Sequence, residues 1–412
     1  MSPTQDFRQA ALAEFEKFLP ISVKVDEFKY TNLEAFSFRK YASDFAARLV
    51  ALKDAGETYP GTKVIRLSSS SAEIEISGDF ESEGVSVLPW SALAEMDPGA
   101  LAKFAKVPAK LEKDAYAQWI AAHASHGLVI KVAKNARVSQ PIQIIHRLDS
   151  SLMNHRLCVW VEAGASCSVL EEYRGASSAE DVGVPAQVGS LAHVYAGAGA
   201  QLEWTQVQSL PESVTSVMRA EVQAERDAHV KGAIVSLGSS TAHYHLEFVS
   251  LGEGSHIDYV CANLGTDERH CDFFVRNSHP AKNSTSETRV LNVVTGSAFA
   301  VFNGMIEIPP GAPKVDAAHR AKSLVLSAKA RVQANPKLEI ATDDVKCAHG
   351  ASISSIDPQQ LYYLQSRGIS RHDAESMIVD SFLNPALDRI NVDGVRSHYK
   401  GLVSRLRAGA QG

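Results

Sequence analysis

The chain lacks the long uncharged apolar run that a membrane-spanning helix needs. Its least charged stretch, residues 182–202, is broken by small and polar residues and by Pro185, whereas a span needs about 20 mostly apolar residues. The first twenty residues carry charges every few positions and lack the apolar core of a signal peptide. From these two absences we expect a cytoplasmic protein that does not enter a membrane.

Cysteine is scarce, and charge of one sign does not dominate. There are five cysteines, an odd number without CxxC spacing, which argues against a disulfide framework and favours reduced thiols. The net charge is −6 without a long basic run, which argues against binding to nucleic acid or to an anionic membrane. We therefore expect proteins or small ligands as partners. The cysteines are Cys158, Cys167, Cys261, Cys271 and Cys347.

Several catalytic motifs are also missing. No GxxxxGK[ST] loop, GxSxG elbow or HExxH helix occurs, and the glycine pairs at 197–199 and 252–254 lack the third glycine of a dinucleotide-binding loop. The chain is thus not expected to be an enzyme of these classes. If ATP hydrolysis is involved, a partner must supply it.

The amino-terminal part, residues 1–127, is predicted to be a helix-rich domain. Apolar residues recur at helical spacing from Thr4 to Leu19, which predicts an amphipathic helix that stops at Pro20. We expect the rest of this part to hold a helical run, short strands and another helical run, at residues 45–52, 63–87 and 91–126.

Residues 128–356 are dominated by alternating apolar residues that are interrupted by similar small-residue turns. A β-solenoid explains this pattern, because one coil cannot bury its inward side chains alone whereas stacked coils share a core. A Greek-key sandwich or a double barrel is the alternative. The turns are EAGAS at 162, AGAGA at 196, AERDA at 224, LGEGS at 251, PPGAP at 309 and SAKAR at 327.

Residues 357–412 return to helix and form the third predicted domain. Asp357 and Ser370 are predicted N-caps, and Gly368 ends the first of these helices. The second helix is expected to stop at Pro385, and a last helix is expected over residues 395–406. The inward stripe of the second helix is predicted to be Ala374, Met377, Ile378, Ser381 and Phe382.

One strand in the central region carries a possible metal site. His243, His245 and Glu247 alternate, so a strand would point all three to one face. A cupin-like metal-dependent enzyme would use such residues. The other interpretation is a strand face that contacts solvent or a partner.

A second candidate site lies near the end of the strand-rich region. Cys347 and His349 are two residues apart on a predicted strand and would share one face. A thiolate and an imidazole suit zinc or an iron-sulfur cluster, but two ligands do not complete a site, so a second chain would have to supply the others. The alternative is a buried cysteine beside an incidental histidine.

The residues that follow carry a family resemblance. The segment NPKLEIATDDVKCAHGASISSIDPQQLYYLQSRGISRHDAESMIVDSF, residues 335–382, closely resembles the carboxyl-terminal signature of the SufB/SufD family. VDEFKYTNL, residues 25–33, is similar to the amino-terminal signature of the SufD branch, and FNGMIEIPPGAPKVDA, residues 302–317, is similar within the strand region. The resemblance covers most of the chain.

This resemblance implies a fold and a role. The fold would be a right-handed parallel β-helix with α-helical terminal domains. The chain would be a non-ATPase subunit of the SUF iron-sulfur cluster assembly complex, acting with a SufB-like scaffold and the SufC ABC-type ATPase, and it could also acquire iron. Cys347 and His349 would lie near the subunit interface where a cluster forms transiently, and no cofactor would be held stably.

The helices after the strand region would dock the ATPase. The residues that the resemblance implies for docking or its support are Tyr363, Arg367, Ile369, Met377 and Phe382. Packing within the helical hairpin is the alternative role for them. Whether the chain pairs with itself or with a SufB-like subunit is left open. A β-helical polysaccharide-active protein is a further alternative, although such proteins normally carry an export signal.

Overall fold

The computed structural model describes residues 3–18, 31, 48–52, 58–92, 104, 106–124, 126–175 and 186–409. The helices in these ranges are α1 (Pro3–Glu16), α2 (Ala115–His123), α3 (Pro358–Ser366), α4 (Arg371–Leu387) and α5 (Asp393–Gly409). The strands are β1 (Arg48–Ala51), β2 (Lys63–Ser68), β3 (Glu73–Ser77), β4 (Val85–Pro89), β5 (His126–Val132), β6 (Ile142–Leu148), β7 (Leu152–Val161), β8 (Ser166–Gly175), β9 (Ala186–Ala196), β10 (Gln201–Ser209), β11 (Val214–Ala224), β12 (His229–Ser236), β13 (Thr241–Ser250), β14 (His256–Gly265), β15 (His270–Ser278), β16 (Thr285–Val294), β17 (Phe299–Ile308), β18 (Asp316–Val325), β19 (Arg331–Ile340) and β20 (Lys346–Ser354).

The strands build a β-solenoid of about ten turns. Even-numbered strands from β6 to β20 pair in parallel within an eleven-stranded sheet, which we call sheet A, and odd-numbered strands from β5 to β19 pair in parallel within a nine-stranded sheet, sheet B. Each coil contributes one strand to each sheet. The solenoid prediction is confirmed, and the sandwich and double-barrel alternatives are wrong because the ladders run parallel. The handedness of the coil remains a prediction.

The corners from sheet B to sheet A repeat one backbone conformation. Gly164, Gly199, Asp227 and Gly254 all have positive φ at this corner. The N–H of Gly164 donates to the carbonyl of Ala198 at 2.8 Å, so adjacent corners are also hydrogen-bonded. At Gly254 the φ of 74° favours glycine, because residues with a Cβ rarely adopt it. The six predicted turns all lie at corners between strands.

Inward side chains of both sheets form one apolar core along the solenoid. Trp204, Tyr244, Tyr259, Phe273 and Phe302 are among its fully buried residues. Alternation along each strand sends every second residue into this core. The neighbouring residues face outward, where terminal segments cover part of each sheet.

The amino-terminal part adds strands to both sheets as well as helices. The predicted strands at residues 63–87 are confirmed as β2, β3 and β4, and the predicted first helix is confirmed as α1. The helical run through Leu49 and Leu52 is wrong, because residues 48–51 form β1 and pair with β3. Residues 45–47 of that run and nearly all of residues 25–33 lie outside the described ranges.

Helix α2 forms within the predicted helical run but is not amphipathic. Its residues 115–122 are all buried, because the helix lies between α1 and the outer face of sheet B. The ring of Phe15 on α1 lies 5.0 Å from that of Trp119. The predicted run also extends too far, since His126 already belongs to β5.

The carboxyl-terminal helices follow the predicted caps. Oδ1 of Asp357 accepts from the N–H of Gln359 at 2.8 Å, and Oγ of Ser370 accepts from the N–H of Asp373 at 3.1 Å. Gly368 has a φ of 85° and ends the first of these helices. The expected stop at Pro385 is wrong, because α4 continues through that residue to Leu387.

The stripe by which α4 packs also differs from the prediction. Ala374 is buried as expected, but Met377 is 47% exposed. The remaining buried positions are Val379, Leu383, Ala386 and Leu387, which pack on the outer face of sheet A. No helix within the described ranges is both long and apolar enough to cross a lipid bilayer.

Candidate functional site

The last coil of the solenoid, β19 and β20, exposes residues that every earlier coil buries. Ile306 and Ile308 in β17 are 0% and 1% exposed, but their register partners Leu338 and Ile340 in β19 are 39% and 40% exposed. In β20 the inward residue Ile353 is 52% exposed. No described residue continues either sheet beyond this coil. We call this surface the open end.

Cys347 and His349 lie on the open end and share its inward face. Cys347 is in register with Ala317 and packs on the cluster around Ile308. His349 is in register with the buried His319 and is exposed. The predicted common face is confirmed. The other four cysteines are buried, so Cys347 is the thiol of this chain that a reactant can reach.

The surroundings keep the Cys347 sulfur protonated. Burial, and then the charge of Asp316, raises the pKa of this thiol above its usual range, against a smaller lowering by the backbone of Ala317. The thiolate is the form that binds metals. A metal ion that coordinates the sulfur must therefore displace its proton.

His319 is a neighbour of this site that the sequence analysis did not identify. Burial, followed by the effects of His279 and His349, lowers its pKa to about 3, so the ring is neutral. Neither of its ring nitrogens has a hydrogen-bond partner. The register His319–His349 follows from strand pairing, which one sequence does not reveal before the coils are aligned.

The open end does not complete a metal site from the described residues. Among the described residues, no group of three or more histidine, cysteine or carboxylate side chains that lie close enough to hold an ion includes Cys347 or His349. Two ligands leave a tetrahedral centre half coordinated. The pair thus suits a site that a second chain completes.

The helices that follow the open end expose large apolar side chains. Tyr362, Tyr363 and Met377 are 74%, 58% and 47% exposed, and α3 has no buried residue. The guanidinium of Arg367 lies over the ring of Tyr363, 5.3 Å from its centroid. The other two predicted docking residues, Ile369 and Phe382, are partly buried. Their contacts with a partner remain predictions.

His243, His245 and Glu247 lie on the outer face of β13 and are fully buried by the amino-terminal part of the chain. Nδ1 of His245 lies 3.0 Å from Oδ2 of Asp114, and Nε2 lies 2.7 Å from Oε1 of Glu247. Asp114 is the N-cap of α2. The predicted common face is confirmed, but a face open to solvent or to a partner is wrong.

An arginine occupies the centre of this group. Nε of Arg219 on β11 lies 2.7 Å from Oδ2 of Asp114, and its Nη1 lies 3.0 Å from Nδ1 of His243. Burial alone would raise the pKa of Asp114, but Arg219 and His245 together hold it well below its usual range. This Asp114 cluster (Asp114, Arg219, His243, His245 and Glu247) therefore joins α2 to the solenoid electrostatically. A metal cation would compete with the guanidinium already present.

Two family models match the chain. The model described as "SUF system FeS cluster assembly, SufBD core domain" matches residues 144–382, and that described as "SufBD protein N-terminal region" matches residues 2–144. Together they span nearly the whole sequence. Both the strand-rich region and the part before it are therefore covered.

Curated relatives agree with these models. Iron-sulfur cluster assembly protein SufD of Bacillus subtilis is 28% identical over 97% of this chain and 93% of its own length. An iron-sulfur cluster assembly SufBD family protein of Synechocystis is 27% identical over 67% of this chain and 62% of its own. Iron-sulfur cluster assembly protein SufD of Escherichia coli is 30% identical over 42% of each chain.

Replacing Asp114 with Asn should strongly destabilise the fold at neutral pH. The change leaves the buried Arg219 without its carboxylate, at a cost of roughly 3–5 kcal/mol. Because the folded-state pKa of Asp114 lies below the unfolded value of 3.8, its contribution is present above that pH and is lost as the pH falls below it. The deficit of the variant should therefore shrink in acid, as measured by urea unfolding at pH 7 and pH 3.

Asp388→Asn is the matched control, because Asp388 makes an exposed pair with Lys400 at 2.8 Å. Such pairs contribute little, so its free energy of unfolding should stay near that of the wild type. Equal deficits for the two variants, or a deficit of Asp114→Asn that does not change with pH, would contradict the electrostatic role of Asp114.

Proposed function

Because this chain belongs to the SufBD family of iron-sulfur cluster assembly proteins, we propose that it serves the SUF system as a SufD-like, non-ATPase subunit that pairs with a SufB-like scaffold through its open end. The observation that carries this proposal is the exposed core of the last coil, which carries Cys347 and His349. A nascent cluster is the cargo of this site, not a resident cofactor.

A solenoid end of this kind needs a partner. Leu338, Ile340 and Ile353 are inward residues that have no covering coil among the described residues. The outer edges of β19 and β20 also present backbone groups that another strand can pair with. A SufB-like subunit with a similar terminal coil would cover these inward side chains and pair with these strand edges. A second copy of this chain is the other occupant that the same geometry allows.

Pairing through this end would place the Cys347 thiol and the His349 imidazole inside the joint. The partner would then provide the remaining ligands for iron and sulfide, which a half-complete set on one chain requires. The raised pKa of Cys347 keeps it protonated until iron binds. Iron could be acquired at the same place.

The exposed face of α3 and α4 is proposed to dock the SufC-type ATPase. Tyr363 and Arg367 stand on one face of the same helical turn, and Met377 is exposed on the next helix. Aromatic and arginine side chains commonly dominate protein interfaces. Because α3 follows β20 after a short connection, movement of the docked ATPase would act directly on the subunit joint, in the manner of a two-state switch.

A cupin-like enzyme is not favoured. His243 and His245 lie on a parallel ladder, not in an antiparallel barrel, and their nitrogens contact Arg219, Asp114 and Glu247. These contacts explain the alternating motif as a structural connection between α2 and the solenoid.

Charges placed on the open end should prevent pairing. In the double variant Ile340→Lys and Ile353→Lys, two lysines would be buried at the joint, so the dissociation constant with the SufB-like subunit should rise about tenfold or more. The isolated chain should stay folded, because both side chains are already exposed. Titration of the two purified subunits, followed by calorimetry, measures the effect.

Ser352→Lys is the control, because Ser352 is in register with the exposed Lys322 and faces outward on the same strand. It should leave affinity near the wild-type value. If the double variant binds as tightly as this control, the open end is not the joint.

Removing the imidazole of His349 should impair cluster formation without preventing assembly. In the complete complex, His349→Ala should lower the yield of reconstituted cluster about tenfold or more, since even outer-sphere changes at metal sites have effects of this size. Absorption and iron content after anaerobic reconstitution give the yield. His229→Ala, an exposed histidine on β12, is the control. Equal cluster yield at equal assembly would remove His349 from the site.

Truncation of the exposed side chains of α3 and α4 should weaken ATPase binding. Tyr363→Ala and Met377→Ala should each cost about 1–2 kcal/mol of binding free energy if they lie at the centre of the interface. Gln365→Ala, an exposed change on another face of α3, should cost little. Binding to the purified SufC-type ATPase measures this. Losses equal to that of Gln365→Ala would place the docking surface elsewhere.

A further inference from the structure

A compact group of polar side chains lies inside the first coils of the solenoid. His146 on β6, His155 on β7, and Glu171 with Tyr173 on β8 are 0–1% exposed. They alternate along their strands with outward residues and share the interior with the main apolar core. We call them the His–Glu–Tyr cluster. Nothing in the proposed role of the open end uses them.

Their nitrogen and oxygen atoms are close together. Nε2 of His146 lies 3.0 Å from Oε1 of Glu171, and the Tyr173 hydroxyl lies 2.7 Å from the same oxygen. Nε2 of His155 lies 2.6 Å from that hydroxyl. The two histidines and the glutamate each offer a ligand atom within 4.8 Å of the others.

The cluster contains a buried carboxylate without a fixed counter-charge. Glu171 is fully buried, and its second oxygen accepts from the neutral amide of Gln206 at 3.0 Å. In the described part of the chain its ion-pair contacts within 4.0 Å include His146 but no lysine or arginine. A buried carboxylate is costly unless a positive charge compensates it.

The two imidazole rings are also incompletely partnered. Nδ1 of His146 and Nδ1 of His155 are both buried without a hydrogen bond, although buried polar atoms nearly always have one.

From this geometry we propose that the His–Glu–Tyr cluster binds one divalent first-row transition metal ion, with His146, His155 and Glu171 as ligands and Tyr173 as the fourth donor. Two imidazoles and a carboxylate suit Zn²⁺ or Fe²⁺ and do not suit the all-oxygen preference of Mg²⁺ or Ca²⁺. Metal–ligand bonds of about 2.0–2.2 Å place tetrahedral ligand atoms about 3.3 Å apart. The contacts of 2.6–3.0 Å would have to lengthen by about 0.3–0.7 Å, and the stacked rings of His146 and His155 would have to turn so that their nitrogens converge on the ion.

The bound cation would supply the missing positive charge and fasten the first coils. Its ligands come from three consecutive strands, of which β6 and β8 pair in sheet A while β7 belongs to sheet B. A cross-link between the two sheets stabilises the folded state, since the unfolded chain does not hold these ligands together. Because the cluster is buried, the ion would be taken up as the coils close during folding.

The test is metal loading during synthesis of the full chain. A parent carrying Cys347→Ser and His349→Ala, which removes the ligands of the open end, is produced with added Co²⁺ or Zn²⁺ and dialysed against a chelator. We expect stoichiometric metal and, with Co²⁺, the visible absorption of a four-coordinate ion. Glu171→Gln and His155→Gln in this parent should lose both signals.

His279→Gln is the matched control, since His279 is also buried in the solenoid but bonds to Ser284 and Ser286, each at 2.8 Å. It should keep the parent's metal content and spectrum. The proposal is overturned if the parent shows no four-coordinate cobalt absorption, or if Glu171→Gln retains as much metal as the parent. The spectrum of the parent decides the question even if a variant fails to fold.

Discussion

Stacking of one coil on the next is the interaction on which the rest of the structure depends. A single coil has an inward row of side chains that only the adjacent coils can cover. The core is therefore buried by stacking many coils and not by closing a sheet into a barrel. The parallel ladders hold adjacent coils in register. The corner residues with positive φ let each coil turn without losing that register. A solenoid built in this way has two ends, and each end must be capped or joined.

Polar groups occupy this structure in two different settings. The Asp114 cluster lies between the outer face of sheet B and α2, where Arg219 provides the positive charge beside Asp114. The His–Glu–Tyr cluster lies inside the coil, where its carboxylate is paired with a histidine and an amide. Buried polar groups that are fully paired specify one arrangement of the neighbouring elements. The first cluster thus fixes the amino-terminal part on the solenoid, while the second depends on what neutralises Glu171.

Much of this fold could be predicted from local sequence pattern. The alternation of residues 128–356, the small-residue turns and the caps at Asp357 and Ser370 are local signals, and each predicted the element that forms. Predictions failed where a distant segment decides the outcome. The stripe of α4 includes Val379 and not Met377 because the outer face of sheet A selects it. His243 and His245 are buried by a segment more than a hundred residues away, and His146, His155 and Glu171 meet only after the coils align.

The two ends of the solenoid differ, and Cys347 and His349 lie at the uncovered end. At the first end, the antiparallel strands β3 and β4 extend the sheets, and α1 and α2 cover an adjacent face. At the last end the described residues provide no such cover, and apolar inward side chains are exposed beside an accessible thiol. An uncovered core is unfavourable for an isolated chain, whereas a joint between chains makes use of it. Under the proposed function a second chain would join at this end, and Cys347 and His349 would lie in that joint.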